Sequence, residues 1–142
     1  MTLASIEPTV SVVVLCYNGL KDLTKPCIES LIQCTKVNYE IIIVDNASTD
    51  GTAQYLRELE AKSQNICIQL NSENRGYAGG NNVGIKSARG EIVILLNNDT
   101  LLTPGWLDKL RDFIVSHPTV GLVGPVTNSA GNEQRIDLIG LN

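Results

Sequence analysis

The stretch "EIVILLNNDTLLTPGW", Glu91 to Trp106, decides how this chain is read. Five apolar residues, Ile92 to Leu96, stand in an unbroken row and give way to Asn97, Asn98 and Asp99. A short continuous apolar run predicts a strand covered on both faces, not the alternation of a half-exposed one. Open parallel sheets bind ligands beyond the carboxyl ends of their strands. The abrupt polar stop therefore marks Asn97 to Asp99 as residues delivered to a ligand edge. Beyond them, Thr103 and Pro104 read as an N-cap followed by proline at the first helical position. Trp106, Leu107, Leu110, Phe113 and Ile114 then form a helical stripe that ends before Pro118.

The rest of the chain repeats this alternation. "VSVVVLC" (Val10 to Cys16), "YEIIIVD" (Tyr39 to Asp45) and "NICIQL" (Asn65 to Leu70) read as strands, and "VGLVGPV" (Val120 to Val126) as a fifth. Leu23, Cys27, Ile28, Leu31 and Ile32 recur at helical spacing, as do Tyr55, Leu56 and Leu59, with Ser48, Thr49 and Asp50 as candidate caps. Tyr77 to Ser87 is compatible with a helix closed by Gly90. Thr127 onward has weak periodicity and reads as loop. Strand and helix alternating in this way predict an α/β domain, three layers with a mostly parallel sheet. With 142 residues and no internal linker, one domain over residues 1–142 is expected.

Composition narrows the function. A net charge of -4 gives no support to a nucleic-acid partner. One Trp, one Phe and four Tyr are too few for a sugar platform of stacked rings. Cys16, Cys27, Cys34 and Cys67 form no CxxC pair and His117 is the one histidine, which argues against zinc and for free thiols in a reducing compartment. The amino terminus lacks the basic-then-apolar pattern of a signal peptide, and no run approaches the ~18 apolar residues of a membrane span. A cytoplasmic protein is expected, peripheral to a membrane at most.

The familiar nucleotide loops are missing. The turn after the first strand, "CYNGLKDL", has one glycine where a dinucleotide fold needs G-x-G-x-x-G, and no Walker loop or nucleophile elbow occurs. What the strand ends offer is acidic and amide-rich. Asp45 follows the second strand, where an acid commonly binds a ribose or base. Asp99 follows the fourth, and a lone aspartate beside sugar and phosphate oxygens suits Mg²⁺ or Mn²⁺.

The ordered blocks "PTVSVVVLCYN", "YEIIIVDNASTDGT", "NRGYAGGNNVGIKSARGEIVILLNNDT" and "PGWLDKL" together resemble the nucleotide-binding half of family 2 glycosyltransferases of the GT-A fold. The resemblance covers roughly Pro8 to Pro125, and the wording of "VDNASTDG" and "LNNDT" looks most like bacterial rhamnosyltransferase-type members that build surface polysaccharides. It implies a nucleoside-diphosphate sugar as donor, with UDP or dTDP as carrier, an acceptor glycan or lipid-linked sugar, and inverting transfer.

The resemblance also implies roles. The family's Asp-x-Asp motif stands here as Asn97-Asn98-Asp99. The metal role passes to Asp99 alone, while Asn97 keeps a hydrogen bond to ribose without charge. Asp45 matches the first acid of the nucleoside site. Asn46 stands where many members carry a second acid against the base, which leaves the base open. The Cys16-Tyr17-Asn18 turn is expected to approach the nucleoside. "NRGYAGGNN", with Arg75, Gly76 and Asn81, is expected beside the diphosphate and sugar, Arg75 supplying the cation where many members have Arg-Asn at Asn81-Asn82. The family's catalytic base lies in a second, acceptor-binding half with no counterpart in this chain, so no base is assigned. Plainer readings stand beside these: Asp45 as a cap on the "STDGT" turn, Asp99 as a loop cap, the glycines as a solvated loop, and His117 as a partner for a helix C-terminus. A non-catalytic nucleotide-sugar-binding module is the alternative function. A nucleotidyltransferase is weaker, since the first turn lacks a glycine-rich basic loop.

Overall fold

The computed structural model describes residues 10–36 and 38–125. Two compact units, Met1–Pro104 and Gly105–Asn142, divide the chain.

The first unit is built on four parallel strands, β1 (Val10–Cys16), β2 (Tyr39–Asp45), β3 (Ile66–Leu70) and β4 (Ile92–Asn97), in the order β3-β2-β1-β4. The helices are α1 (Lys25–Cys34), preceded by a π-helical turn at Leu20–Thr24, α2 (Thr52–Glu60) and α3 (Gly76–Ser87). Together they give the expected three-layer α/β/α arrangement. The two central strands explain their unbroken apolar sequences. Val10, Val12, Val13, Val14 and Cys16 of β1 and Ile41 to Val44 of β2 are all fully buried, which requires cover on both faces. Val13, Ile42 and Val44 face α3 with Leu15, Cys67, Val83 and Ala88 around them. By the two-residue strand period, Val12, Val14, Ile41 and Ile43 point to the opposite face, toward which α1 and α2 contribute Cys27, Ile28, Leu31 and Leu56.

β1, β2 and β3 are laid down in one direction, and the chain then crosses to the far side of β1 to add β4. The strand order therefore reverses between β1 and β4, the switch point at which an open α/β sheet leaves a crevice.

Helix α3 comes unusually close to the sheet. A Cβ at Gly84 would overlap Val13 Cγ1, and one at Gly80 would overlap Leu15 Cδ1. The glycines at this four-residue spacing pack the helix on β1. They do not form a flexible loop, and of the segment's glycines Gly76 is the one that reaches the ligand edge. Gly90 does not close α3, which ends at Ser87. A Cβ on Gly90 would lie 2.7 Å from the Ser11 nitrogen, so it is a point of close approach to β1.

At the amino-terminal end of the sheet, Glu40 gathers the chain. It is nearly buried and accepts from Ser11 Oγ (2.6 Å), the Arg89 backbone N–H (2.8 Å), Arg89 Nε (2.9 Å) and Arg89 Nη2 (2.7 Å). Ser11 Oγ in turn accepts from the Gly90 N–H. Burial pushes the Glu40 carboxyl upward, but the Ser11 hydroxyl and the Arg89 backbone and guanidinium outweigh it and hold the pKa below the ordinary value. A carboxyl with a lowered folded pKa stabilises fully above its unfolded pKa and loses that contribution as pH falls through the folded one. Because the Arg89 side chain is 60% exposed, solvent screens much of its share. Glu40→Ala is expected to cost about 2 kcal/mol at neutral pH, mainly through loss of the acceptor for the buried Ser11 hydroxyl and the Arg89 backbone N–H. Denaturant midpoints of wild type and variant should converge as pH is lowered below about 4.5.

Other expectations need correction. Among the described residues β4 is an edge strand and is not covered on both faces: α3 packs over β1 and β2, and Val93 and Leu95 are 40% and 46% exposed while Leu96 is buried, so its unbroken apolar run carries the alternation of a half-exposed strand. In the second unit the helix α4 (Trp106–Ser116) has the left-handed Gly105, φ 78, as its N-cap, so Thr103 and Pro104 lie before the helix, Pro104 in the turn that leads to it. Phe113 of its stripe is exposed. Val120 to Pro125 form no strand: Gly121, Gly124 and Pro125 work against one, and the Val120 N–H closes a turn onto the His117 carbonyl at 2.8 Å. Val126 and the loop expected from Thr127 lie outside the described residues. His117 follows the plainer reading, its Nδ1 2.8 Å from the Phe113 carbonyl at the end of α4. All four cysteines are free thiols. Among the described residues no helix is long and apolar enough to cross a membrane.

Candidate nucleotide-sugar site

A cavity of about 380 Å³ opens at the carboxyl ends of β1 and β4, where the strand order reverses. Leu15 and Tyr17 line it from β1, Asn97, Asn98 and Asp99 from β4, and Asn46 from β2. Asn74, Gly76 and Tyr77 close it from the segment entering α3.

The β1 and β2 ends are laced together. Asn18 adopts a left-handed conformation, φ 55, donates its N–H to Ser48 Oγ (2.8 Å) and accepts from the Thr49 N–H through Oδ1 (2.8 Å). The N-cap of α2 is Gly51, φ 91, and not one of the three candidates; Asp50 before it accepts from the Thr52 hydroxyl at 2.6 Å and the Thr52 N–H at 3.2 Å, and also takes the Leu20 N–H at 2.9 Å. Those bonds, the Thr52 hydroxyl first, lower its pKa. Ser48 and Thr49 serve the β1 turn rather than the helix.

Asn46 is the hub of the site. Only 2% exposed, its Nδ2 donates to Asn74 Oδ1 (2.7 Å) and the Gly76 carbonyl (3.3 Å). Its Oδ1 accepts from Asn71 Nδ2 (3.0 Å) and the Arg75 N–H (3.0 Å). Two donors and two lone pairs are the whole capacity of an amide. The side chain is thus spent on holding the Asn71–Gly76 segment. Ala47, at φ 67, follows it in a conformation uncommon for a residue with a Cβ.

The loop carrying Asp99 is pinned by α1 and the turn before it. Asn98 Nδ2 donates to Thr24 Oγ1 (3.0 Å), Cys27 Sγ to the Asn97 carbonyl (3.5 Å), the Leu102 N–H to Ser30 Oγ (3.1 Å) and Cys34 Sγ to the Leu102 carbonyl (3.4 Å). Burial pushes the Cys27 thiol up to about 11, so it stays a protonated donor. On the opposite wall, Tyr77 hydroxyl donates to Asn97 Oδ1 at 3.1 Å.

Tyr17, Asn46, Gly76, Asn97, Asn98 and Asp99 thus meet at one cavity. The other expected residues do not line it. Cys16 and Asp45 are register partners on the face away from α3. Burial drives the Cys16 thiol up to about 12, and Asp45 Oδ1 accepts from the Ser48 N–H at 3.3 Å. Asn18 is occupied in the turn, Arg75 is exposed at the start of α3, and Asn81 donates back to the Tyr77 carbonyl within the helix (3.0 Å). Asn74 and Tyr77 come from the "NRGYAGGNN" segment expected here, and Leu15 lies outside every expected site residue. Leu15 pairs in register with Asn97, a signal that sequence alone withholds, whereas Tyr77 stood out as the one aromatic in a glycine-rich run.

A divalent metal has one carboxylate to use. Among the described residues no three His, Cys, Asp or Glu side chains come together as a cage. Asp99 is exposed at the cavity. That donor set fits a hard cation carried by a ligand's phosphates, the usual manner of Mg²⁺, and not a stand-alone ion.

The model of the family described as Glycosyl transferase family 2 matches residues 11–139. The chain belongs to that family. A putative teichuronic acid biosynthesis glycosyltransferase, TuaG of Bacillus subtilis, is 31% identical over 109 residues, 77% of this chain and 43% of that protein. TarS 1-349 of S. aureus in complex with UDP superposes with a TM-score of 0.68 at 29% identity, over 78% of this chain and 33% of that one. The mannosyltransferase PcManGT of Pyrobaculum calidifontis, in complex with GDP-Man and Mn2+, gives 0.71 at 30% identity, over 87% and 36%. The chain spans about a third of the length of the first relatives it matches.

Proposed function

We propose that this chain is the donor-binding part of a glycosyltransferase of surface polysaccharide or glycan synthesis, holding a nucleoside-diphosphate sugar in the cavity between β1 and β4. The observation that carries the reading is the position of that cavity: it lies at the switch point of the sheet, with the exposed Asp99 carboxylate among its lining residues. The UDP of the TarS complex and the GDP-Man and Mn2+ of the PcManGT complex support a nucleotide sugar and a cation as ligands of this fold.

In this reading Tyr17 and the Asn46-held segment receive the nucleoside, and Asn97 and Asp99 meet the ribose and diphosphate. Departure of a nucleoside diphosphate from an anomeric carbon builds negative charge on the leaving oxygen; Asp99 would hold a Mg²⁺ or Mn²⁺ there, and the cation would supply Lewis-acid stabilisation of that charge. The chain's own residues bind and orient the donor. Attack by an acceptor hydroxyl, with inversion, requires a base that none of the cavity residues is assigned to supply.

Thermal unfolding with UDP, dTDP and GDP, each with and without Mn²⁺, tests the reading. A ligand at 100 times its Kd adds about 2.7 kcal/mol, a midpoint shift of about 9 °C for a chain of 142 residues. One nucleoside diphosphate should stand out, and Asp99→Ala should remove the Mn²⁺-dependent part. Undiminished, metal-indifferent binding by Asp99→Ala would refute the metal role. Absence of any shift would refute the site.

A further inference from the structure

Asn97 stands at the end of β4 with its backbone carbonyl already used by Cys27 Sγ and the Thr100 N–H. Its main chain is pinned, and what remains to be set is which end of its side-chain amide faces the cavity. Among the described residues one side chain decides this. Tyr77, in the first turn of α3, is 62% exposed at the cavity and gives its hydroxyl proton to Asn97 Oδ1 at 3.1 Å. A phenol donates better than it accepts, because its lone pair is delocalised into the ring, whereas an amide oxygen is a strong acceptor. The pair therefore favours oxygen toward Tyr77 and Nδ2 toward the open space. Tyr77 is itself placed by Asn46, which holds Asn74, Arg75 and Gly76 immediately before it.

We propose that Tyr77 is a positioning residue that locks the Asn97 amide with Nδ2 toward the cavity, so that this wall donates a hydrogen bond to an acceptor oxygen of the bound nucleoside diphosphate. The proposal rests on the donor-site reading and adds the polarity of one wall to it. An acid at position 97 would present only acceptors and add its charge to that of Asp99. A locked amide donor accepts a phosphate or ribose oxygen lone pair and leaves Asp99 as the one anion among the cavity residues.

The test is a double-mutant cycle read by calorimetric titration with UDP, dTDP and GDP in the presence of Mn²⁺. Tyr77→Phe keeps the ring and removes the hydroxyl. It should weaken the preferred nucleotide about three- to tenfold, the worth of one ordinary hydrogen bond, and should have no effect in an Asn97→Ala background. Equal losses in both backgrounds would mean that Tyr77 touches the ligand directly, and no loss in either would mean that the lock is idle. Either result overturns the proposal. A second readout needs no ligand: ¹⁵N relaxation of the Asn97 side-chain amide should show it ordered in the wild type and mobile in Tyr77→Phe, and equal mobility in the two proteins overturns the lock. If no nucleotide binds the wild type, the donor-site reading falls and takes the proposed ligand with it, while the relaxation data still judge the pair.

Discussion

Asn46→Asp should destabilise the protein by about 3 kcal/mol at neutral pH, although it changes no more than an NH₂ to an oxygen and installs the acid that many relatives of this fold are expected to carry. The reason lies in the count of donors. Asn46 Nδ2 supplies the bonds to Asn74 Oδ1 and the Gly76 carbonyl, and a carboxylate there would turn two attractions into two contacts between acceptors. The bonds from Asn71 and Arg75 survive, which keeps the cost below that of a fully orphaned charge, but the site is 2% exposed and water offers little relief. Protonation would return one donor. The carboxyl of the variant should therefore have a raised folded pKa, and its deficit relative to wild type should shrink as pH falls through that pKa toward about 4. Chemical denaturation of both proteins across pH 4–8 measures this. A variant as stable as wild type at pH 7 would show that the hub is not needed.

Gly84→Leu should be comparably damaging, at about 3 kcal/mol or more. The added Cβ alone overlaps Val13 Cγ1 and comes within 3.2 Å of Val44 Cγ2, and both valines are fully buried and stiff about χ1. Helix propensity favours the substitution by about 1 kcal/mol, so overpacking of a closed core has to exceed that before any loss appears. Asn82→Leu, on the exposed side of the same helix, is the control and should be nearly neutral. The same displacement of α3 would carry Tyr77 from Asn97, so Gly84→Leu should also lose nucleotide affinity in molecules that remain folded. Unfolding midpoints and titrations of the pair separate the two effects.

What was legible in the sequence followed from burial. β1 and β2 announce themselves because every residue must be apolar on a strand covered twice, and their bounds were read correctly. The end of β4 was legible for the complementary reason, since Asn97 to Asp99 break an apolar run where the sheet meets solvent. The period of two was the obstacle nearby. Cys16 and Asp45 sit at strand ends, as expected, yet they point away from the cavity that Leu15 and Asn97 face. Register is a property of paired strands, and a single strand does not carry it. The packing role of the α3 glycines is not legible because helix–sheet contact, close ligand approach and loop flexibility leave the same mark in composition. Asn74 and Tyr77 reach the cavity through the Asn46 hub, a contact between distant parts of the chain. "VGLVGPV" has strand-like valines, but its glycines and proline prevailed where residues 120–125 make no ladder.

The position of β4 has an entropic consequence. β1 and β2 pair across a single crossover, whereas β4 pairs Ile92 with Val10, which closes the longest loop in the sheet. Closing a longer loop costs more conformational entropy, about 0.6 kcal/mol for each doubling of its length. The cavity owes one wall to β1 and another to β4, so it comes into being only when that last strand docks. Seen this way, the Glu40 cluster at the opposite end of the sheet is a latch on assembly. It ties Arg89 and Gly90, the residues entering β4, to Ser11 at the start of β1, and so supports the β1–β4 pairing on which both walls of the cavity depend.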